Sequence, residues 1–157
     1  MKIQFWAVGK INEPYVKLGV DEFTARISKY YPVQWTIIPP PKNASALPEA
    51  ALRKKEAVAI DAMLGKDDYL VVLDEKGKQL NSESLAQFLA GRANEAMRNL
   101  VFLIGGAFGT DESILKKAKF TWSLSSLTFP HQLVRLLLAE QVYRACSILR
   151  NEKYHHA

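Results

Sequence analysis

Short apolar runs alternate with longer amphipathic stretches along the whole chain. Lys2 to Val8 predicts a strand, and Gly9 ends it. Residues 13–29 carry Tyr15, Leu18, Val20, Phe23 and Ile27 near helical spacing. Val33 to Ile38 predicts a second strand, bounded by Pro32 and by Pro39-Pro40-Pro41, a triplet that forbids helix and ladder pairing alike. Pro48-Glu49 fits the start of a helix that runs to about Leu64, with Gly65 as its cap. Tyr69 to Leu73 predicts a third strand. Asp74-Glu75-Lys76-Gly77-Lys78 then reads as a turn into a helix from about Asn81 to Arg98. A strand at Leu100–Ile104, a short helix near 111–117, a strand at Phe120–Leu124 and a helix over 131–150 complete the pattern. This order predicts one α/β domain over residues 1–157, with a mostly parallel sheet and helices on both faces.

The last helix is apolar around most of its circumference: Leu133, Val134, Leu136, Leu137, Leu138, Val142, Tyr143, Ala145, Cys146, Ile148 and Leu149. Such a helix is buried on more than one side. The sheet covers one face, and a second copy of the chain is the simplest cover for the other. A homodimer is the expectation.

Composition narrows the classes. The chain has 157 residues, 48% of them apolar, and a formal net charge of +5. That charge suits an anionic partner such as RNA, DNA or an acidic membrane, and it also suits a mildly basic protein with no such partner. Cys146 is the only cysteine, so no intrachain disulfide forms; inside an apolar helix it reads as a small buried thiol. No window approaches about 18 consecutive apolar residues, and the opening run is too short for a signal peptide. No membrane span and a cytoplasmic location are expected.

Candidate chemistry concentrates in residues 100–144. Two apolar runs there end in polar loops, Gly105-Gly106-Ala107-Phe108-Gly109 and Ser125-Ser126-Leu127-Thr128-Phe129-Pro130. In open α/β sheets ligands sit where strand ends meet such loops. The glycine loop alone fits a tight turn as well as a binding loop; it has neither the P-loop lysine nor a dinucleotide fingerprint. The serine loop fits a helix entry with Thr128 or Phe129 near the N-cap, or a ligand loop. His131 follows it. Arg135 and Arg144 are charges on an otherwise apolar helix, and Glu140 stands four residues before Arg144, where an intrahelical pair forms. In the tail, Tyr154 is an aromatic able to stack on a base. His155 and His156 are adjacent, without metal-ligand spacing, so no metal is expected.

The opening MKIQFWAVGK, the stretch VVLDEKGKQLNSESLA, FLIGGAFG, and above all SLTFPHQLVRLLLAEQVYRA followed by NEKYHH resemble one family across essentially the whole chain. It is the ribosomal RNA large subunit methyltransferase H family, the smallest members of the SPOUT class of knotted methyltransferases. The resemblance implies a C-terminal trefoil knot, S-adenosylmethionine as methyl donor, and a homodimer with sites at the subunit interface. It implies a pseudouridine of large-subunit ribosomal RNA as substrate, methylated at N3 within the assembled ribosome. By position, the cofactor contacts it implies are Leu73, Gly105, Leu124, Ser125, Ser126, Leu127, Thr128 and Phe129. Ala107-Phe108 falls where the family varies.

The donor is a sulfonium, so its methyl is already activated and no metal is required. The acceptor N3 must lose a proton, and a histidine can take it near neutral pH. His131 is the first candidate, the tail residues Tyr154 and His155 the second, and water the third. Arg135 and Arg144 would hold phosphate or stabilise negative charge developing on the ring. Two other classes compete: a non-catalytic RNA- or ribosome-binding module of the same fold, and a dinucleotide enzyme. The last lacks the fingerprint after its first strand.

Overall fold

The computed structural model describes residues 1–156. β1 (Lys2–Val8), β2 (Val33–Ile38), β3 (Asp68–Gln79), β4 (Asn99–Ile104) and β5 (Phe120–Ser123) form a sheet in the order β2-β1-β4-β3-β5. Every pairing is parallel. Strands buried on both faces need continuous apolar runs, and β4, Asn-Leu-Val-Phe-Leu-Ile, is one. Alternation along the strands divides the core. Ile3, Phe5, Ala7, Leu100, Phe102 and Ile104 meet α1 (Pro14–Ile27), α3 (Ser82–Asn94) and α5 (His131–Leu149). Trp6, Val8, Leu70, Val72, Val101 and Leu103 meet α2 (Glu49–Met63) and the short α4 (Glu112–Leu115). Burying one such side chain contributes about 1.5–3 kcal/mol, and Phe5 and Phe102 are fully buried, with rings 5.8 Å apart.

Four local expectations are corrected. β3 does not stop at Leu73: Leu73 and Lys78 both pair with Trp122 of β5, so Asp74–Gly77 bulge out of a strand that continues to Gln79. Gly77 makes this possible, because a Cβ there would lie 2.6 Å from the Thr121 carbonyl. α3 ends at Asn94 rather than near Arg98. Ala96, at φ 55°, reverses the chain, and the Met97 amide donates to the Arg92 carbonyl at 3.2 Å, an end that an alanine does not advertise. Gly65 is not a left-handed cap; α2 ends with Leu64 extended, and the Gly65 amide donates to Asp68 Oδ2 at 2.8 Å. The N-cap of α5 is Pro130, so neither Thr128 nor Phe129 caps it and the proline stands just outside the helix.

The apolar circumference of α5 is covered more fully within one chain than the pattern suggested. α1 packs along one side of it and α3 along the other, over the sheet. At the α1 crossing, Gly19 leaves room for Leu136, into which a Cβ would collide. Cys146 is buried in this layer, and burial pushes its thiol up to about 12, far from any reactive thiolate.

Candidate active site

The carboxyl ends of β4 and β5 and the bulge of β3 open into a pocket of about 200 Å³. β3 brings Leu73, Asp74 and Glu75; β4 and its loop bring Ile104, Gly105, Gly106 and Gly109. Trp122, Ser123, Leu124, Ser125, Leu127, Thr128 and Phe129 close the far wall, and the first turn of α5 adds His131 and Val134. Of the expected cofactor residues, only Ser126 stays off the lining; its Oγ accepts from Gln79 Nε2 at 2.8 Å.

The loops are set by local chemistry. Ser123 Oγ donates to the Ser125 carbonyl at 3.1 Å, and Ser125 Oγ accepts from the Leu127 amide at 3.0 Å. These short side-chain bonds fold the serine loop against the β5 end. The glycine loop is both a tight turn and a pocket wall. The Gly109 amide donates to the Gly106 carbonyl at 3.1 Å, and Gly109 takes φ +87°, which favours glycine. Gly105 is constrained inside the loop, since a Cβ there would strike Thr110 Oγ1. A Cβ on Gly106 would lie 2.5 Å from a carboxyl oxygen of Glu56, which stands buried beneath the loop.

Arg135 has a different task from the one expected. It is fully buried, its Nη1 donates to the Gly9 carbonyl at 2.7 Å and its Nη2 to the Val8 carbonyl at 2.9 Å. It rivets the start of α5 to the end of β1 and does not line the pocket. Gln132 adds to this, donating to the Lys10 carbonyl at 3.1 Å and accepting from the Asn12 amide at 3.0 Å. His131, four residues before Arg135 on the same helix, lines the pocket. Burial first, and the Arg135 charge second, hold its pKa below the ordinary histidine value, against a smaller opposing pull from the Val8 carbonyl. The imidazole is therefore neutral near pH 7, with a lone pair to offer.

The other candidates form a separate cluster. Glu140 and Arg144 make the intrahelical pair, Arg144 Nε donating to Glu140 Oε1 at 3.0 Å. Tyr154 Oη donates to the same carboxylate at 3.0 Å, and its ring lies 4.7 Å from the Arg144 guanidinium carbon. Arg144 Nη1 lies 3.1 Å from His155 Nδ1, whose Nε2 lies 2.9 Å from Glu83 Oε1. A guanidinium cannot accept, so His155 Nδ1 accepts and Nε2–H donates to Glu83. Its lone pair is occupied. None of Arg144, Tyr154 and His155 lines the pocket of its own chain.

Sequence reasoning missed Asp74, Glu75 and Trp122. The two acids read as a turn, although a glycine inside a strand pattern signals a bulge. Trp122 is 3% exposed at the pocket wall, with an Nε1–H that finds no partner among the described residues. Its place at the end of an apolar run was the available signal. Among the described residues, no group of His, Cys, Asp or Glu is arranged to hold a metal, and no helix is long and apolar enough to cross a membrane.

Fold and pocket together define an α/β protein with a pocket at one end of a parallel sheet. Residues 1–155 match the family model described as "Predicted SPOUT methyltransferase". "Ribosomal RNA large subunit methyltransferase H" of Cytophaga hutchinsonii is 42% identical over 156 residues, covering 99% of this chain and 100% of the relative. The protein of the same name from Parabacteroides distasonis is 40% identical, covering 99% of each. A probable methyltransferase structure from Bordetella pertussis Tohama I superposes with a TM-score of 0.54 at 12% identity, over 92% of this chain and 95% of that one, a likeness of fold alone. The chain belongs to the SPOUT methyltransferases and, within them, to the ribosomal RNA large subunit methyltransferase H family.

Proposed function

We propose that this chain transfers a methyl group from S-adenosylmethionine to N3 of a pseudouridine in large-subunit ribosomal RNA, acting on assembled ribosomes in the cytoplasm. The observation that carries the reading is the pocket. Leu73, Gly105, Leu124, Ser125, Leu127, Thr128 and Phe129 converge there from the bulge of β3, the end of β4 and the loop after β5. The lining fits the donor. Ile104, Leu124, Leu127, Phe129 and Val134 offer apolar surface for a purine. Asp74 and Glu75 suit ribose hydroxyls and the cationic amino and sulfonium groups. Trp122 Nε1–H, without a partner among the described residues, is a donor at the wall.

When bound, that donor supplies an activated methyl group. The chain's own work is to orient the acceptor, exclude water and remove one proton. His131 takes the N3 proton, being neutral and in the pocket wall. The reading includes a C-terminal trefoil knot in a single domain over residues 1–157. It also includes a homodimer with sites at the subunit interface; the half-buried Leu133 and Leu137 of α5 and the exposed Tyr15 and Leu18 of α1 offer apolar surface for it. In such a dimer, Arg144, Tyr154 and His155 of one copy close over the RNA base held by the other.

Calorimetry with S-adenosylmethionine, light scattering, and methyl transfer to ribosomes or to naked RNA test this reading. Micromolar dimers, donor binding and transfer to ribosomes containing pseudouridine are expected, with little transfer to naked RNA. No donor binding, with or without ribosomes, would leave a non-catalytic module of the same fold. A monomer at micromolar concentration would remove the shared site.

A further inference from the structure

A second cavity of about 1000 Å³ adjoins the pocket, and the two share Leu73, Asp74, Glu75 and Gly109. The glycine turn forms part of the wall of both. On its far side Phe108 stands 49% exposed at the tip of the turn, in the lining of the second cavity and outside that of the first. Lys76 and Lys116 also line it, and among the described residues neither forms an ion pair. Thr110, in the same wall, keeps a buried hydroxyl with no partner among the described residues.

We infer that this second cavity receives the RNA strand, Phe108 stacking on an unpaired base and Lys76 and Lys116 holding its phosphates. This rests on the reading of the first pocket as the methyl-donor site. The charge pattern favours a nucleotide over other ligands. A polyphosphate without bases would bring no donor for Asp74, Glu75 and Glu112 in the lining, and a polycation would be repelled by the lysines. A nucleotide needs both kinds of partner: cations for its phosphates, and acceptors for the N–H groups of its base. Asp111 is engaged elsewhere, accepting from the Ser113 amide at 3.1 Å and hydroxyl at 2.6 Å, and these bonds hold its carboxyl below the usual range. An aromatic side chain at the end of a tight turn stacks only on a base already out of its helix, so the strand is single at this point. The reacting nitrogen must come within about 3–3.5 Å of the transferred methyl. A base at the shared edge, beside Gly109 and Leu73, is the one position next to both cavities.

The test compares Phe108→Ala, Phe108→Trp and the pair Lys76→Ala with Lys116→Ala, in full-length protein, for S-adenosylmethionine affinity and for KM towards ribosomes. Loss of one base stack predicts a KM about tenfold higher for Phe108→Ala, with the tryptophan restoring it. The double lysine variant should raise KM and flatten its dependence on salt. Donor affinity should be unchanged in all three. Normal KM values and salt slopes in variants of an active protein overturn the cleft and leave the methyltransferase reading standing. A wild-type chain that binds no donor and methylates no ribosome overturns both.

Discussion

Two histidines near the ends of α5 stand in opposite situations. His131 sits in the pocket wall within reach of the buried Arg135 charge, and among the described residues no donor holds its lone pair. His155 sits between Arg144 and Glu83, and both ring nitrogens are engaged. Each has an arginine for a neighbour, but the arginines act differently. Arg135 spends both Nη groups on main-chain carbonyls and acts on His131 through space. Arg144 reaches His155 directly and acts by donating a hydrogen bond. A histidine kept neutral by burial and a remote charge remains a base. One whose two ring nitrogens are both engaged becomes a fastener.

The largest effect should come from His131→Ala. If it is the base, turnover falls about 10²–10⁴-fold with little change in donor affinity. In the wild type, turnover should rise with pH through a midpoint below the ordinary histidine value, because the neutral form is active and the folded protein favours it. The variant should lose that rise; an unchanged profile would remove His131 from proton transfer.

Arg135→Met comes next. It strips the donors from two main-chain carbonyls, and denaturant unfolding should show a loss of roughly 3 kcal/mol. In protein that stays folded, the midpoint of the pH profile should move up toward the ordinary value, since the cation that depresses it is gone. A midpoint that stays put would mean burial alone controls His131.

A smaller effect belongs to the tail. Glu83→Gln weakens a half-exposed contact that solvent screens, so unfolding should barely register it. Donor affinity should hold while transfer to ribosomes drops, as expected if the tail serves the RNA site and not the donor pocket. A fall in donor affinity would undo the separation between the two regions.

The smallest effect is Glu56→Gln. Burial raises the Glu56 carboxyl above its ordinary range. Between the ordinary and the raised value the unfolded chain gives up the proton and the folded chain keeps it, so stability falls as pH rises through that interval. Glutamine should therefore raise the Tm at neutral pH, and the gain should vanish below the ordinary glutamate range. A gain that persists in acid would point to packing rather than charge.

Much of this was legible in the residues. The strands stood out as short apolar runs between turn residues, most clearly Leu100–Ile104, where burial on both faces demands an unbroken run. The two loops at 105–109 and 124–129 stood out because glycine and serine interrupt those runs abruptly. Arg135 was not legible: nothing in its spacing distinguishes a charge that reaches a ligand from one that satisfies two carbonyls across more than a hundred residues of chain. The end of α3 was hidden because Ala96 does the work usually given to glycine. The acids of the pocket were hidden because a polar bulge within a strand and a polar turn after one have the same composition.

The return of β3 to Trp122 has a consequence for engineering. Leu73 and Lys78 meet the same partner residue, so the four positions between them form a cassette that hangs from the sheet without setting its register. Gly77 is its fixed clasp. Asp74, Glu75 and Lys76 are free to be exchanged, shortened or recoded as a set, and all three face a cavity. The selectivity of both chambers can thus be redrawn at one short stretch of chain, with the five-stranded frame left as it is.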